Sequence, residues 1–70
     1  MNWNQVEGNW KQLVGQAQAR WGKLTGDELE SVKGRQKELA GLIQERYGKT
    51  EEEATRELDD WMASINHKLS

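Results

Sequence analysis

The chain has 70 residues, of which 34% are hydrophobic and 31% are charged, and its formal net charge at pH 7 is -2. A chain of this length buries only about 60% of the surface that its unfolded form exposes, so we expect one domain over residues 1–70 with a small core. The absence of cysteine and the single histidine exclude a disulfide and a closed structural zinc site, and they suit a cytoplasmic protein.

The first predicted element is a helix that starts near the N-terminus. Apolar residues recur there at steps of three and four positions, which places them on one face of a helix. We expect this helix to end at Gly22, because a residue without a Cβ atom readily takes the left-handed conformation of a C-cap. The apolar face consists of Trp3, Val6, Trp10, Leu13, Val14, Ala17 and Trp21.

The second predicted helix begins at Thr25 and Glu28, which have the spacing of a capping box. Gly34 is a point at which this helix can divide into two shorter ones, and the sequence leaves that division undecided. We expect Gly48 to end the helix as Gly22 ends the first. The apolar positions are Leu29, Val32, Leu39, Ile43 and Tyr47.

A second capping box, at Thr50 and Glu53, starts a last helix over about residues 51–69. Its acidic first turn and the His67 and Lys68 pair in its last turn suit the helix dipole. No stretch alternates with the two-residue period of a strand, so the predicted fold class is all-α. Because the loops are short, we expect a small bundle of three to four helices arranged as two packed helical hairpins. The apolar stripe of the last helix comprises Ala54, Leu58, Trp61, Met62, Ile65 and Leu69.

Residues 6–23 and 32–49 form an internal repeat, matching at half of their positions. The repeated glycines are spaced by sevens and lie roughly 150–160° from the centre of the apolar face. One interpretation is that this small-residue face lets a helix, a nucleic-acid backbone or another chain come close. The other is that the glycines are caps or bends that only lower helix stability. The shared signature positions are Gly8, Lys11, Gly15, Gly22, Gly34, Lys37, Gly41 and Gly48.

The sequence gives little support for catalysis or metal binding. The carboxylates cluster at helix starts, His67 has no second metal ligand near it, and no glycine-rich phosphate loop is present. We therefore expect neither an enzyme nor a bound cofactor or metal. The tryptophans fall on apolar stripes, which favours a role in the core. The expected core is Trp3, Trp10, Leu13, Trp21, Leu39, Ile43, Tyr47, Leu58, Trp61 and Ile65.

Binding to nucleic acid or to a membrane is less favoured than contact with proteins. Basic residues occur in both repeats, but carboxylates are interspersed among them and the net charge is acidic. The most amphipathic segment, residues 51–69, has an acidic polar face that anionic lipids would repel, and no apolar run is long enough for a signal peptide or membrane span. The basic residues are Lys11, Arg20, Lys23, Lys33, Arg35, Lys37, Arg46 and Lys49.

The two copies of the repeat also resemble a known protein family. The segments GNWKQLVGQAQARWGKLTGDEL and GRQKELAGLIQERYG closely resemble the CsbD-like family of small bacterial stress-response proteins, over nearly the whole chain. The resemblance implies a bundle of two packed helical hairpins, cytoplasmic residence, induction under stress and no enzymatic activity. The composition is also similar to that of hydrophilins, which are hydrophilic, glycine-rich proteins.

Two functional hypotheses follow. The first is a non-catalytic protectant or protein-interaction module whose thin core opens readily under stress. The alternative is a small nucleic-acid-binding helical module, which would show strongly salt-dependent affinity. The sequence names no client protein, oligomeric state or particular stress for either hypothesis.

Overall fold

The computed structural model describes the backbone of residues 2–69 and the side chains of residues 2–65. Over this range the protein is all-helical, as expected, and no described residue is in a strand. The expectations for the side chains of His67, Lys68 and Leu69 lie outside the described residues. The five helices are α1 (Trp3–Gly8), α2 (Trp10–Arg20), α3 (Gly26–Val32), α4 (Gln36–Tyr47) and α5 (Glu51–Leu69).

The first predicted helix is divided at Asn9, which the apolar spacing did not predict. The backbone of Asn9 departs from helical geometry (φ -111°, ψ 18°), and its N–H donates to both Gln5 O and Val6 O. Its side-chain Nδ2 also donates to Gln5 O at 2.9 Å. Asparagine competes with regular helix in this way because its short amide can bond to nearby backbone groups. The apolar residues keep their helical spacing on either side of the division.

The prediction that Gly22 forms a left-handed C-cap is wrong. Helix α2 ends at Arg20, and its C-cap is Trp21 with φ -118° and ψ 78°. Positive φ among the glycines is found at Gly34 and Gly48. The chain leaves the helix at Trp21, whose indole is buried and packs against Trp61. Burial of this large ring outweighs the preference for a glycine cap one residue later.

The division left open by the sequence is present between α3 and α4. Lys33 and Gly34 both adopt left-handed conformations, with φ of 52° and 75°. The expectation that the repeated glycines lie away from the core is wrong for Gly34. This residue is buried, and a Cβ atom on it would lie 3.1 Å from both Glu7 Cα and a ring carbon of Trp10. The turn therefore brings the backbone of Gly34 against the first copy of the repeat at a distance that only glycine permits.

The repeated capping signals form the expected local structures. Thr25 Oγ1 accepts from Glu28 N at 3.1 Å, and Thr25 N donates to the Glu28 carboxylate at 3.0 Å. Thr50 and Glu53 make the same reciprocal pair at 3.1 and 3.0 Å. Gly48 caps α4 with a left-handed φ of 64°. These caps supply partners for backbone groups that helix ends leave unpaired, and they set where α3 and α5 begin.

The core lies between two helix pairs, since α2 packs against α3 and α4 packs against α5. Of the residues expected in the core, eight are buried, whereas Trp3 and Tyr47 are only partly buried and pack against the cluster. Leu24 and Ala40 are also buried, although the helical spacing did not point to them. The eight are Trp10, Leu13, Trp21, Leu39, Ile43, Leu58, Trp61 and Ile65.

Three indoles join the two helix pairs. The ring of Trp61 on α5 meets Trp10 edge-on with centroids 6.3 Å apart, and meets Trp21 in the same manner at 5.3 Å. Edge-to-face pairs at such separations are favourable beyond the area they bury. The first copy of the repeat is thus attached to the last helix through aromatic contacts.

Candidate functional site

The described residues contain no arrangement suited to metal binding or acid–base catalysis. No group of three His, Cys, Asp or Glu side chains among them lies close enough to hold a metal ion. The buried side chains of this part of the chain include no polar or charged residue. A functional surface must therefore be sought among exposed grooves and charged contacts.

One groove runs between the first two helices and α3, with a volume of about 610 Å³. Its walls include Gly8, Lys11 and Gly15 on one side and Glu30 and Lys33 on the other. Three of the eight signature positions therefore meet in one groove. Positive and negative charges alternate around its rim, so the groove favours neither an acidic nor a basic occupant.

A second groove, of about 400 Å³, lies on the other side of α3 and is bounded by α4. It contains Gly41 and the half-buried Leu42, and its rim carries Glu28, Glu38 and Glu45. Gly41 is the repeat equivalent of Gly15 in the first groove. The duplicated unit thus places the same glycine in a groove on each side of α3.

The signature glycines fall into two physical groups. Gly34 and Gly48 have left-handed backbones, which explains glycine at these positions. Gly8, Gly15 and Gly41 are exposed helical residues, and a Cβ atom on any of them would meet nothing within 4 Å. Neither backbone conformation nor packing inside the chain requires glycine there, although each helical glycine costs about 1 kcal/mol relative to alanine.

The remaining signature positions are polar or lie in a turn. Lys11 and Lys37 are exposed at equivalent places near the starts of α2 and α4. Gly22 is exposed in the turn after α2 and has open space around its Cβ position. The signature residues therefore do not converge on one site; they are distributed over both copies of the repeat.

Three of the four tryptophans lie in the core, and two of these have the indole nitrogen hydrogen-bonded inside the protein. Trp10 Nε1 donates to Leu29 O at 2.7 Å, and Trp21 Nε1 donates to the Glu57 carboxylate at 3.2 Å. Trp10, Trp21 and Trp61 are each less than a tenth exposed. Their ring faces are therefore not available as a platform for stacking bases.

Carboxylates link several helices and are held in their charged form. The backbone N–H of Thr25 and then the Arg46 guanidinium lower the pKa of Glu28 below its ordinary 4.5. The Lys49 ammonium lowers the pKa of Glu57 most strongly, burial opposes it, and the Trp21 indole N–H adds a smaller lowering. Both groups are negatively charged at neutral pH. Glu28 therefore makes an ionic contact between α3 and α4, and Glu57 accepts a charge-assisted hydrogen bond from Trp21.

The basic residues do not form a continuous unpaired surface. Arg46 pairs with Glu28, Lys49 pairs with Glu57, and Arg35 Nε lies 4.0 Å from the Glu7 carboxylate. Lys23 Nζ lies 5.2 Å from the ring centre of Tyr47. The guanidinium carbon of Arg20 lies 6.0 Å from the ring centre of Trp21, so five of the eight basic residues proposed for nucleic-acid contact have partners within the protein.

The fold and its surfaces define a small helical protein in which a duplicated unit packs against one further amphipathic helix, α5. Comparison with known proteins identifies the family: the chain belongs to the CsbD-like family, whose model matches residues 4–56. This confirms the resemblance carried by the doubled glycine and lysine pattern.

Curated relatives match over most of their length. A UPF0337 protein of Mesorhizobium japonicum is 61% identical over 61 residues, which cover 87% of this chain and 91% of that protein. A UPF0337 protein of Rhodopseudomonas palustris is 46% identical over 65 residues, covering 93% and 98%. No solved structure matches the chain. Within the described residues, no helix is both long and apolar enough to cross a membrane.

Proposed function

We propose that this protein is a non-catalytic, cytoplasmic stress-response protein that protects other proteins by transient contact, as a hydrophilin-like protectant or interaction module. In this proposal the two helix pairs act as packed hairpins whose apolar faces become available when the bundle opens. The pairing of α2 with α3 and of α4 with α5 supports that arrangement.

The observation that carries the proposal is the presence of glycines inside helices where neither the backbone conformation nor packing within the chain requires glycine. Replacing Gly15 and Gly41 by alanine would add side chains that meet nothing within 4 Å. Such replacements raise helix stability by about 1 kcal/mol each, which is a large share of the stability of a small domain. Glycine at both positions thus lowers the free energy needed to open the bundle, which suits a protein that exposes its apolar faces under stress.

A protection assay with a stabilised variant tests this proposal. A heat-labile client enzyme is heated with the wild-type protein, with a G15A/G41A variant, or with an equal mass of serum albumin. We expect the wild type to preserve more client activity than albumin, and the stabilised variant to preserve less than the wild type. Q12A, at an exposed position of α2, is the matched control. Protection no better than that of albumin would refute the proposed function.

Nucleic-acid binding is the second candidate function. Lys11 and Lys33 face the same groove, where the missing side chains of Gly8 and Gly15 would let a phosphate backbone approach. Glu7 and Glu30 on the same rim oppose this. Binding to duplex or single-stranded DNA that weakens steeply with salt would support the second candidate, and no detectable binding at low salt would remove it.

A further inference from the structure

The α2–α3 pair and the α4–α5 pair are joined by three described polar contacts, which together we call the repeat seam. Arg46 on α4 pairs with Glu28 on α3, and Trp21 Nε1 at the end of α2 donates to Glu57 on α5. The third contact is neutral, with Lys23 N–H donating to Tyr47 Oη at 3.0 Å. Two of the three contacts across the seam therefore depend on a carboxylate.

The charged groups that face Glu57 are cationic. Lys49, in the loop before α5, pairs with its carboxylate, and Arg20 at the end of α2 acts on it through space. Trp21 adds a neutral N–H donor. If Glu57 became neutral, two cations would remain beside the buried indole without the anion that now compensates them.

The charged groups around Glu28 include both signs. Arg46 binds Glu28 and also Glu45 on α4, while Glu38 and Glu45 line the same groove as Glu28. Arg46 is thus the cation that lets Glu28 lie beside the acidic residues of α4. Neutral Glu28 would no longer attract Arg46 across the seam, and the link between α3 and α4 would weaken.

Apolar surface lies directly behind these contacts. Helix α5 buries Ala54, Leu58, Trp61 and Ile65, each no more than 4% exposed. Trp61 also covers the indoles of the first copy of the repeat. Separation of the two helix pairs would expose a continuous apolar surface centred on three indoles while each pair kept its own helices.

We propose that the repeat seam is an acid-sensitive latch: neutralisation of Glu28 and Glu57 separates the two helix pairs and exposes the Trp10, Trp21 and Trp61 cluster. This inference rests on the proposed function, because the exposed cluster is the surface that would contact client proteins. The inference adds that acidic pH is the condition under which this surface becomes exposed.

The direction of the effect follows from the pKa values. Both glutamates have a pKa below the ordinary 4.5 in the folded protein, Glu28 chiefly through the Thr25 N–H and Glu57 chiefly through Lys49. A carboxyl with a lowered folded pKa adds stability above its unfolded pKa, and that stability is lost as pH falls through the folded value. The latch therefore holds at neutral pH and opens below about pH 4.5.

A pH titration of the E28Q/E57Q variant tests the latch. Tryptophan emission and binding of an apolar dye report exposure of the cluster, and far-ultraviolet circular dichroism reports helix content. For the wild type we expect dye binding to rise below about pH 4.5 while the helical signal persists. At pH 7 the variant should bind at least about twofold more dye than the control. When the pH is lowered, its dye binding should increase less than that of the wild type. The control is E30Q/E52Q, which makes the same charge change at two exposed positions.

Two results would overturn the inference. One is an E28Q/E57Q variant whose dye binding and emission match those of E30Q/E52Q at every pH. The other is loss of the helical signal in the same transition as the emission change, which would mean general unfolding. If the double variant were unfolded at pH 7, the single E28Q and E57Q variants would be tested instead, and the same two results would overturn the inference. The protection assay at neutral pH does not depend on acid opening, so failure of the latch and failure of the proposed function are distinguishable.

Discussion

Replacement of Gly34 by alanine should strongly destabilise the protein. Gly34 has a φ of 75° and is buried where α3 turns into α4. The new Cβ atom would lie 3.1 Å from Glu7 Cα and 3.1 and 3.2 Å from two ring atoms of Trp10. Neither neighbour is the far end of a flexible side chain, because one is backbone and the other is a ring in the core.

The expected loss of unfolding free energy in the G34A variant has two parts. A left-handed conformation costs a residue with a Cβ atom about 1–2 kcal/mol. Crowding in a packed core adds about 1–3 kcal/mol, because the neighbours must shift. The sum of about 2–5 kcal/mol is comparable to the total stability of about 4–10 kcal/mol expected for a domain of this size. G34A should therefore lose about half of the unfolding free energy of the wild type.

Gly48 provides the matched control. Its φ of 64° carries a similar conformational penalty, but nothing lies within 4 Å of its Cβ position. In urea denaturation followed by tryptophan emission, G48A should lose about 1–2 kcal/mol of unfolding free energy, and G34A should lose clearly more. Equal losses in the two variants would refute the reasoning that Gly34 is required by close approach to the first repeat.

Three further predictions use the same denaturation assay. K33G should stabilise the protein by up to about 1 kcal/mol, because Lys33 occupies a left-handed conformation with φ 52°; no gain would contradict this. L58A should cost about 2–5 kcal/mol, because Leu58 is fully buried, whereas an equal cost for M62A would contradict that reasoning. Wild-type stability should fall as pH drops below 4.5, because the folded pKa of Glu53 is also lowered, chiefly by Thr50 N–H; unchanged stability from pH 7 to 3 would contradict this.

Local signals in the sequence correctly predicted the starts of α3 and α5. The capping boxes at Thr25 and Thr50 depend on residues three positions apart, so the sequence contains all the information needed to recognise them. The same holds for the apolar spacing of α5 from Ala54 to Ile65, since each buried position follows from helix geometry.

Features that depend on contacts distant in sequence were not predictable. The departure from helix at Trp21 depends on an indole pocket formed with Trp61 and Glu57, 40 and 36 positions away. The close approach at Gly34 depends on Glu7 and Trp10 in the first repeat. Leu24 is buried although it lies between helices, where helical spacing makes no prediction.

The candidate surfaces could be predicted only in part. Helix geometry correctly placed Gly15 and Gly41 on exposed faces away from the apolar stripes, but their position in grooves beside α3 depends on how the helices pack. The seam contacts of Glu28 and Glu57 had no sequence signal of their own, because Glu28 reads as a capping residue and Glu57 as part of an acidic helix. Only the folded arrangement shows that each also reaches another helix.

Helix α5 explains how two copies of one unit form a single core. Trp10 and Trp21 of the first copy correspond to Gln36 and Tyr47 in the second, so the copies do not contribute equal aromatic surface. Helix α5 packs along α4 of the second copy and places Trp61 against both indoles of the first. It therefore connects the copies through apolar contact, while Glu57 accepts a hydrogen bond from Trp21 at the same place. In the opening that we propose, α5 stays on α4, and its separation from the first copy breaks the indole contacts and the Trp21–Glu57 hydrogen bond together.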